Sequence, residues 1–122
     1  MNREILFRGK SIDNGEWVMS NFVCAGEDVA MVAVYKVLRN TIGQFTGLCN
    51  DNGNKIFEGD IVVFDEAEDL DMERAVVVFD DGKFKLKYCN YGYMDDLDGV
   101  TAKRQIIIGN IHDNPEMCEV KQ

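Results

Sequence analysis

The chain has 122 residues, 46% of them hydrophobic, with 22 acidic against 13 basic residues and a formal net charge of −9. This length is that of one domain able to bury a core, and the composition excludes a disordered chain and a membrane-embedded one. The acidic balance argues against binding nucleic acid through overall charge, because phosphate contacts need a local excess of Lys and Arg.

The amino-terminal residues contain no apolar stretch typical of a secretory signal. The longest apolar run, residues 29–35, is too short to span a bilayer. Cys24, Cys49, Cys89 and Cys118 are dispersed and form no Cys-x-x-Cys pair. We therefore expect a cytoplasmic protein with free thiols, without a zinc or redox motif and without a membrane partner.

Short segments with β chemistry alternate with turns rich in Asp, Asn and Gly, which is typical of an all-β protein. In chain order the predicted strands are residues 4–8, 17–22, 29–37, 61–64, 75–79, 83–88 and 105–111. The clearest unit is a hairpin in which Asp80-Asp81-Gly82 joins the Val-rich segment 75–79 to segment 83–88. Segment 65–74 is interpreted as an acidic loop, and Asn114-Pro115 predicts a last helical turn.

The stretch that begins near Thr46 has the turn and strand order with which small SH3-like barrels commonly begin. Gly47, Gly53 and Gly59 mark chain reversals, and Asp60 precedes an apolar strand. We predict a mainly β, single domain over residues 1–122. It would comprise a small N-terminal β unit (1–45) and a C-terminal SH3-like or partly open β-barrel (46–122). The expected core residues are Trp17, Phe45, Ile56, Ile61, Val63, Val77, Phe79, Phe84, Leu86, Ile106 and Ile108.

Three blocks of this sequence resemble the YopX family, in the same order and over nearly the whole chain. The residues that carry the resemblance are Phe7, Arg8, Gly9, Trp17, Gln44, Thr46, Gly47, Asp51, Gly53, Ile56, Glu58, Gly59, Asp60, Gly109, Asn110, Asn114, Pro115 and Glu116. Cys49-Asn50 stands where we expect a basic residue beside Asp51, which we interpret as a small surface departure. The resemblance implies a β-rich protein encoded by phages and prophages, with a barrel-like C-terminal unit and no assigned reaction.

No constellation of catalytic, cofactor-binding or metal-ligating residues is predicted. The acidic stretch Asp95-Asp96-Leu97-Asp98-Gly99 lacks the twelve-residue ligand spacing of an EF-hand, so a solvated loop is the favoured interpretation. The single histidine, His112, has no Cys or Ser near it in sequence to form a nucleophile–base pair. We therefore expect neither a cofactor nor an enzyme.

Lys83, Lys85 and Lys87 alternate with apolar residues, which places their ammonium groups on one face of a strand. The favoured interpretation is a face kept soluble by Lys, guarding a sheet edge. The alternative is a basic stripe that follows a nucleic-acid backbone beside tyrosines that stack on bases. The tyrosines close enough in sequence are Tyr88, Tyr91 and Tyr93.

The acidity and the lack of a catalytic grouping, together with the phage context that the resemblance implies, favour a phage or prophage accessory protein. It would bind a protein partner, from the host or the phage, in the cytoplasm of a bacterial host cell. The alternative is a nucleic-acid-associated regulator that uses the Lys-rich strand face. We also expect a homo-oligomer, because the apolar run 29–35 is a candidate exposed strand edge.

Overall fold

The chain is mainly β, as predicted. A computed structural model describes residues 4–68 and 73–118. The strands are β1 (Phe7–Lys10), β2 (Trp17–Ser20), β3 (Val23–Ala25), β4 (Ala30–Val32), β5 (Tyr35–Lys36), β6 (Gly43–Cys49), β7 (Lys55–Phe57), β8 (Asp60–Phe64), β9 (Ala75–Asp80), β10 (Lys83–Tyr88), β11 (Met94–Asp96) and β12 (Gln105–Asn110). Helical elements with described bounds are α1 (Gly99–Lys103) and the 3-10 turns Arg39–Thr41 and Pro115–Cys118. None of the described helices is long and apolar enough to cross a membrane.

The chain divides into two compact units, Met1–Gly47 and Leu48–Gln122. In the first unit β1 lies between β2 and β6, and β3, β4 and β5 form a separate three-stranded sheet. A small core of Ala30, Val32 and Val37 holds this unit together. Gly9 is in β1, where an added Cβ would lie 3.1 Å from the Val37 side chain, so a larger residue at this position would have to displace Val37.

The apolar run 29–37, predicted as one strand, is a hairpin of β4 and β5. Val32 pairs with Tyr35, which leaves a two-residue turn at Ala33 and Val34. Ala33 takes a positive φ of 54°, a conformation usually adopted by Gly, Asn or Asp in such turns. The prediction missed the reversal because this turn is made of residues that carry no turn signal.

In the second unit, five antiparallel strands have the order β11-β10-β9-β8-β12. The predicted β9–β10 hairpin is confirmed, with Asp80 opposite Lys83 and positive φ values at Asp81 (51°) and Gly82 (81°). Within residues 4–68 and 73–118, β11 and β12 do not pair with each other, so this sheet is open rather than a closed barrel. Strand β7 lies next to β6. The last two residues of β6, Leu48 and Cys49, belong to the second unit.

One face of the five-stranded sheet carries the main core. It consists of Ile56, Val62, Ala75, Val77, Leu86, Leu97 and Ala102. Of the predicted core residues, those buried are Phe45, Ile56, Ile61, Val63, Val77 and Leu86, and those half-buried are Trp17, Phe84 and Ile108.

Two core predictions are wrong. Phe79 is 54% exposed and Ile106 is 43% exposed. Phe79 lies at the end of the hairpin, where its ring packs edge-on against Phe84 at 5.1 Å between centroids. Ile106 lies on β12, at the edge of the sheet. Both positions are at the periphery of the sheet, which the alternation of apolar residues alone does not reveal.

The stretch around residues 95–99, predicted as a solvated loop, is instead the end of β11 followed by α1. Asp98 is the N-cap of α1, and its carboxylate accepts a hydrogen bond from the Thr101 N–H at 2.8 Å. Residues 69–72 of the predicted acidic loop lie outside the described residues. Before them, Asp65 and Glu66 form a turn and pair with the Arg104 guanidinium at 3.6 Å and 2.7 Å.

The expectation of four free thiols is wrong for two of them. Cys89 and Cys118 form a disulfide, with 5.2 Å between their Cα atoms. This separation falls within the range that disulfide geometry requires. Cys24 and Cys49 are free and exposed. The bond joins the residue after β10 to the last residue of the terminal 3-10 turn.

Candidate functional site

Gly59 and Asp60, at the start of β8, make hydrogen bonds to several segments of the second unit. Gly59 has a positive φ of 94°. Its N–H donates to the Val77 carbonyl at 2.8 Å, and its carbonyl accepts from the Ile111 N–H at 2.9 Å. The Asp60 carboxylate is buried and accepts a hydrogen bond from the Phe57 N–H at 2.8 Å. Both residues therefore hold chain segments together.

The closing motif builds a second turn beside the first. Asn110 lies opposite Asp60 in the β8–β12 ladder. The Asn110 carboxamide oxygen accepts from the N–H groups of His112 at 3.0 Å and Asp113 at 2.9 Å. The Asn114 N–H donates to the Asn110 carbonyl at 2.8 Å. The central and closing motifs of the resemblance therefore form one turn scaffold.

Asn50 is a buried turn residue, so the interpretation of Cys49-Asn50 as a surface departure is wrong for Asn50. Its side-chain oxygen accepts from the Asn52 and Asn54 N–H groups, each at 3.0 Å. Its own N–H donates to the Asn54 carbonyl at 3.0 Å. Cys49 is exposed. The turn is closed by local side-chain hydrogen bonds, which Asn makes readily.

The motif residues of the first unit meet in a cation–aromatic contact. The Arg8 guanidinium carbon lies 4.5 Å from the centre of the Trp17 ring, and the Lys10 ammonium lies 5.8 Å from it. Such contacts stabilise by roughly 0.5 to 2 kcal/mol. Of the other motif residues, Phe7 and Gln44 lie opposite each other in the β1–β6 ladder, and Thr46 and Gly47 follow in β6.

The remaining motif residues lie in the second unit. Asp51 and Gly53 are in the turn after β6, Ile56 is in β7, and Glu58 precedes β8. Gly109 is in β12, and Pro115 and Glu116 are in the last 3-10 turn.

The three lysines of the predicted stripe lie on one face of β10. The Lys83 ammonium is 3.1 Å from the Asp96 carboxylate, and the Lys85 ammonium is 3.1 Å from the Asp80 carboxylate. Lys87 is exposed and lies between Val76 and Met94 on the neighbouring strands. Two of the three positive charges on this face are therefore compensated by carboxylates of the same sheet.

Tyr88, Tyr91 and Tyr93 form a cluster at the end of β10 and in the connection that follows it to β11. The Tyr88 and Tyr93 ring centroids are 5.0 Å apart, and those of Tyr91 and Tyr93 are 5.8 Å apart. Tyr91 and Tyr93 are each 56% exposed. Tyr88 follows Lys87 in β10, so the alternation of the strand places it on the opposite face from the lysines. The structure therefore does not bring Tyr88 to the predicted stripe.

The tyrosine cluster lines a cavity of about 300 Å³ together with Phe64 and Glu73. Burial, followed by the Asp95 carboxylate, raises the pKa of Tyr88 to about 12. Sequence reasoning missed Phe64 and Glu73, because they lie far from the tyrosines along the chain and share no motif with them. Within the described part of the chain, no group of three or more His, Cys, Asp or Glu side chains could hold a metal ion.

Comparisons with known proteins agree with this fold. The family model described as YopX protein matches residues 3–119. The structure is similar to the crystal structure of protein EF1440 from Enterococcus faecalis, with a TM-score of 0.58 and 24% sequence identity. That similarity covers 97% of this chain and 100% of the other. No curated protein matches the chain. The match of the family model over nearly the whole chain shows that this protein belongs to the YopX family.

Proposed function

We propose that this YopX-family chain is a phage or prophage accessory protein that binds a protein partner, without catalysis, in the cytoplasm of the bacterial host. One observation carries the proposal. Tyr91, Tyr93 and Met94 are exposed at the edge of the five-stranded sheet. On the neighbouring strand β10, the basic side chains of Lys83 and Lys85 are already paired with carboxylates.

Exposed tyrosine and methionine side chains are typical of protein-binding surfaces. Tyrosine offers a large contact area with few rotatable bonds, so little conformational entropy is lost when it is buried by a partner. Strand β11, next to the cluster, is an edge strand whose three residues are all exposed. An edge strand also offers backbone donors and acceptors to a partner strand. Aromatic side chains and a sheet edge therefore stand side by side.

Binding of nucleic acid by the lysine face is the less favoured alternative. Affinity for a phosphate backbone comes largely from the release of counterions when Lys and Arg neutralise phosphates. Lys83 and Lys85 would first have to leave the carboxylates of Asp96 and Asp80. The net charge of −9 also repels a polyanion.

Capture from bacterial lysate on the immobilised full chain tests the proposal. The wild type is compared with the double variant Tyr91→Ser/Tyr93→Ser and with the triple variant Lys83→Gln/Lys85→Gln/Lys87→Gln, each with and without nuclease. We expect a captured protein that resists nuclease, is lost with the tyrosine variant and is retained by the lysine variant. Tyr35→Ser, which changes an exposed tyrosine of the first unit, is the matched control and should leave capture unchanged.

Two results would contradict this function. Capture that disappears with nuclease and with the lysine variant would identify the alternative, a nucleic-acid regulator. If Tyr35→Ser abolishes capture as completely as the double tyrosine variant does, the surface that carries Tyr91 and Tyr93 is not the specific binding surface.

A further inference from the structure

The segment that follows β12 runs from the edge of the five-stranded sheet to the end of β10. This closing segment, residues 111–118, begins beside the edge strand β12 and ends at Cys118, whose sulfur is bonded to Cys89 after β10. Strands β8 and β9 lie between β12 and β10 in the sheet. The disulfide therefore joins the segment to a strand three positions away from the one it leaves.

The closing segment lies beside apolar side chains of β9. Val76 and Val78 are half-buried and pair with Lys87 and Lys85 of β10, so all four side chains share one face of the sheet. Val76, Val78, Ile111 and both cysteines of the disulfide line one cavity of about 240 Å³. The closing segment and its disulfide therefore form one wall of this cavity, and β9 forms another.

The near end of the closing segment is held by backbone hydrogen bonds. The Ile111 N–H donates to the Gly59 carbonyl at 2.9 Å. The Asn114 N–H donates to the Asn110 carbonyl at 2.8 Å. These bonds belong to the turn scaffold at the start of β8 and the end of β12, so the near end is fixed without the disulfide.

The far end of the segment, the 3-10 turn Pro115–Cys118, is held less firmly. None of its four residues is buried. The Arg74 guanidinium donates to the Met117 carbonyl at 3.1 Å, and the Met117 sulfur lies 3.2 Å from where a Cβ on Gly109 would be. Segments with few buried contacts open at a low free energy. The disulfide is therefore the strongest tie at this end.

The disulfide is accessible to a small thiol. Cys118 is half-buried, whereas Cys89 is only 5% exposed. Both line the cavity, whose volume corresponds to about eight water molecules at about 30 Å³ each. Lys87 lines the same cavity, and a nearby ammonium group favours the thiolate form of cysteine. The cavity therefore offers both access to Cys118 and a charge that favours release of a thiolate.

We propose that the Cys89–Cys118 disulfide is a redox-sensitive switch, which a dithiol reductant opens to free the far end of the closing segment. A thiolate of the reductant bonds to the Cys118 sulfur, the bond between the cysteines breaks, and its electron pair leaves on the Cys89 sulfur. The second thiolate of the reductant then attacks the reductant sulfur of the mixed disulfide and displaces Cys118. The reductant becomes a disulfide, and its two thiol protons end on the two cysteines.

Opening of the switch uncovers the apolar side chains of β9. When the far end leaves the sheet, the cavity loses the wall that contains Cys118, and Val76 and Val78 become exposed. Because the near end stays in the turn scaffold, the change is confined to the last turn of the segment. This inference does not depend on the proposed protein-binding function.

NMR relaxation of the full chain, with and without dithiothreitol, tests the inference. In the oxidised protein we expect amide order parameters of about 0.85 at Glu116 and Met117, as in a rigid backbone, and below about 0.6 after reduction. Val77 and Leu86, in the core of the sheet, should stay at about 0.85 in both states. The methyl signals of the β9 valines that line the cavity should shift on reduction.

Thiol labelling and two double variants connect the change to this bond. A thiol-reactive dye should label the two free cysteines, Cys24 and Cys49, before reduction and all four cysteines after it. Cys89→Ser/Cys118→Ser should be mobile at Glu116 from the start and should not respond to dithiothreitol. Cys24→Ser/Cys49→Ser is the matched control and should respond as the wild type does.

Four results would overturn the inference. Labelling of four cysteines before reduction would show that the bond does not form. A rigid Met117 in the fully reduced protein would show that other contacts hold the segment. Loss of order at Val77 and Leu86 as well would show that the bond maintains the whole unit. A bond that dithiothreitol opens only in urea would show that its sulfurs are inaccessible in the folded protein.

Discussion

Asp60 and Asn110 lie directly opposite each other at the end of the β8–β12 ladder. Each side chain accepts hydrogen bonds from the backbone of its own turn, Asp60 from Phe57 and Asn110 from His112 and Asp113. Two turns that are distant in the chain are thus organised side by side by neighbouring polar side chains. The most distinctive motif residues of the second unit therefore stabilise the fold at this point.

Gly59 should be sensitive to substitution because of its backbone conformation. Its φ is 94°, and an added Cβ would meet the His112 ring only at 3.6 Å, an ordinary contact. We expect Gly59→Ala to lower the free energy of unfolding by about 1 to 3 kcal/mol, measured by urea denaturation. Gly99→Ala is the control, because Gly99 begins α1 and an added Cβ there would meet no atom within 4 Å. Equal unfolding midpoints for the two variants would contradict this expectation.

Tyr88 should ionise later than an ordinary tyrosine. Burial first, and Asp95 second, raise its pKa from 10.0 to about 12. Its contribution to stability is therefore complete below pH 10, where the phenol is protonated in both states, and is lost as the pH rises from 10 to about 12. Titration of the phenolate absorbance should show one late tyrosine that Tyr88→Phe removes. A late transition that survives in Tyr88→Phe would refute the assignment.

The lysine face should not bind nucleic acid measurably at physiological salt. In fluorescence anisotropy with a labelled oligonucleotide, we expect no binding by the wild type or by Lys83→Gln/Lys85→Gln/Lys87→Gln. Asp80→Asn/Asp96→Asn, which releases Lys85 and Lys83 from their ion pairs, should produce weak, salt-sensitive binding. Salt-sensitive wild-type binding, with a slope reduced by about one unit per lysine replaced, would favour the regulator.

The Cys89–Cys118 disulfide should stabilise the second unit. The two cysteines are separated by 29 positions in the sequence, and closing such a loop stabilises by about 3 to 4 kcal/mol in the chain-entropy treatment. Cys89→Ser/Cys118→Ser should therefore unfold at a lower urea concentration than the oxidised wild type, whereas Cys24→Ser/Cys49→Ser should not. Equal stability of both double variants would exclude a stabilising role.

The β4–β5 hairpin should mediate self-association. Val34 is 81% exposed at its turn, and Phe22 and Tyr35 are 62% and 50% exposed. The Ala33 N–H donates to the Phe22 carbonyl, which places these residues together. Exposed apolar patches of this kind mark interfaces, and symmetric dimers are the commonest assembly. Sedimentation at micromolar concentration should show a dimer that Val34→Asp dissociates.

The control for this prediction is Val100→Asp, which places the same charge at a valine that is 76% exposed on α1. It should leave the dimer intact. A wild type that sediments only as a monomer would contradict the prediction.

Local patterns determined the parts of this fold that depend on near neighbours in the sequence. The β9–β10 hairpin was predictable because alternating residues flank Asp81 and Gly82, both of which take positive φ. The Pro115–Cys118 turn was predictable because Pro favours the first position of a helical turn. The reversal at Ala33 and Val34 was not, because apolar residues seldom take a positive φ, and here the pairing of β4 with β5 imposes it.

Only the tertiary structure decided which distant residues meet. Pairing of β8 with β12 brings Asp60 beside Asn110, and the closing turn brings Cys118 within reach of Cys89. The order of the sheet strands exposes Ile106 at the edge and places Asp96 near Lys83. Strand pairing over long sequence separation depends on the burial of the whole sheet, so no local run of residues encodes it. The sequence by itself therefore determined a mainly β chain of the YopX type, and the pairing of its strands decided where the aromatic cavity forms.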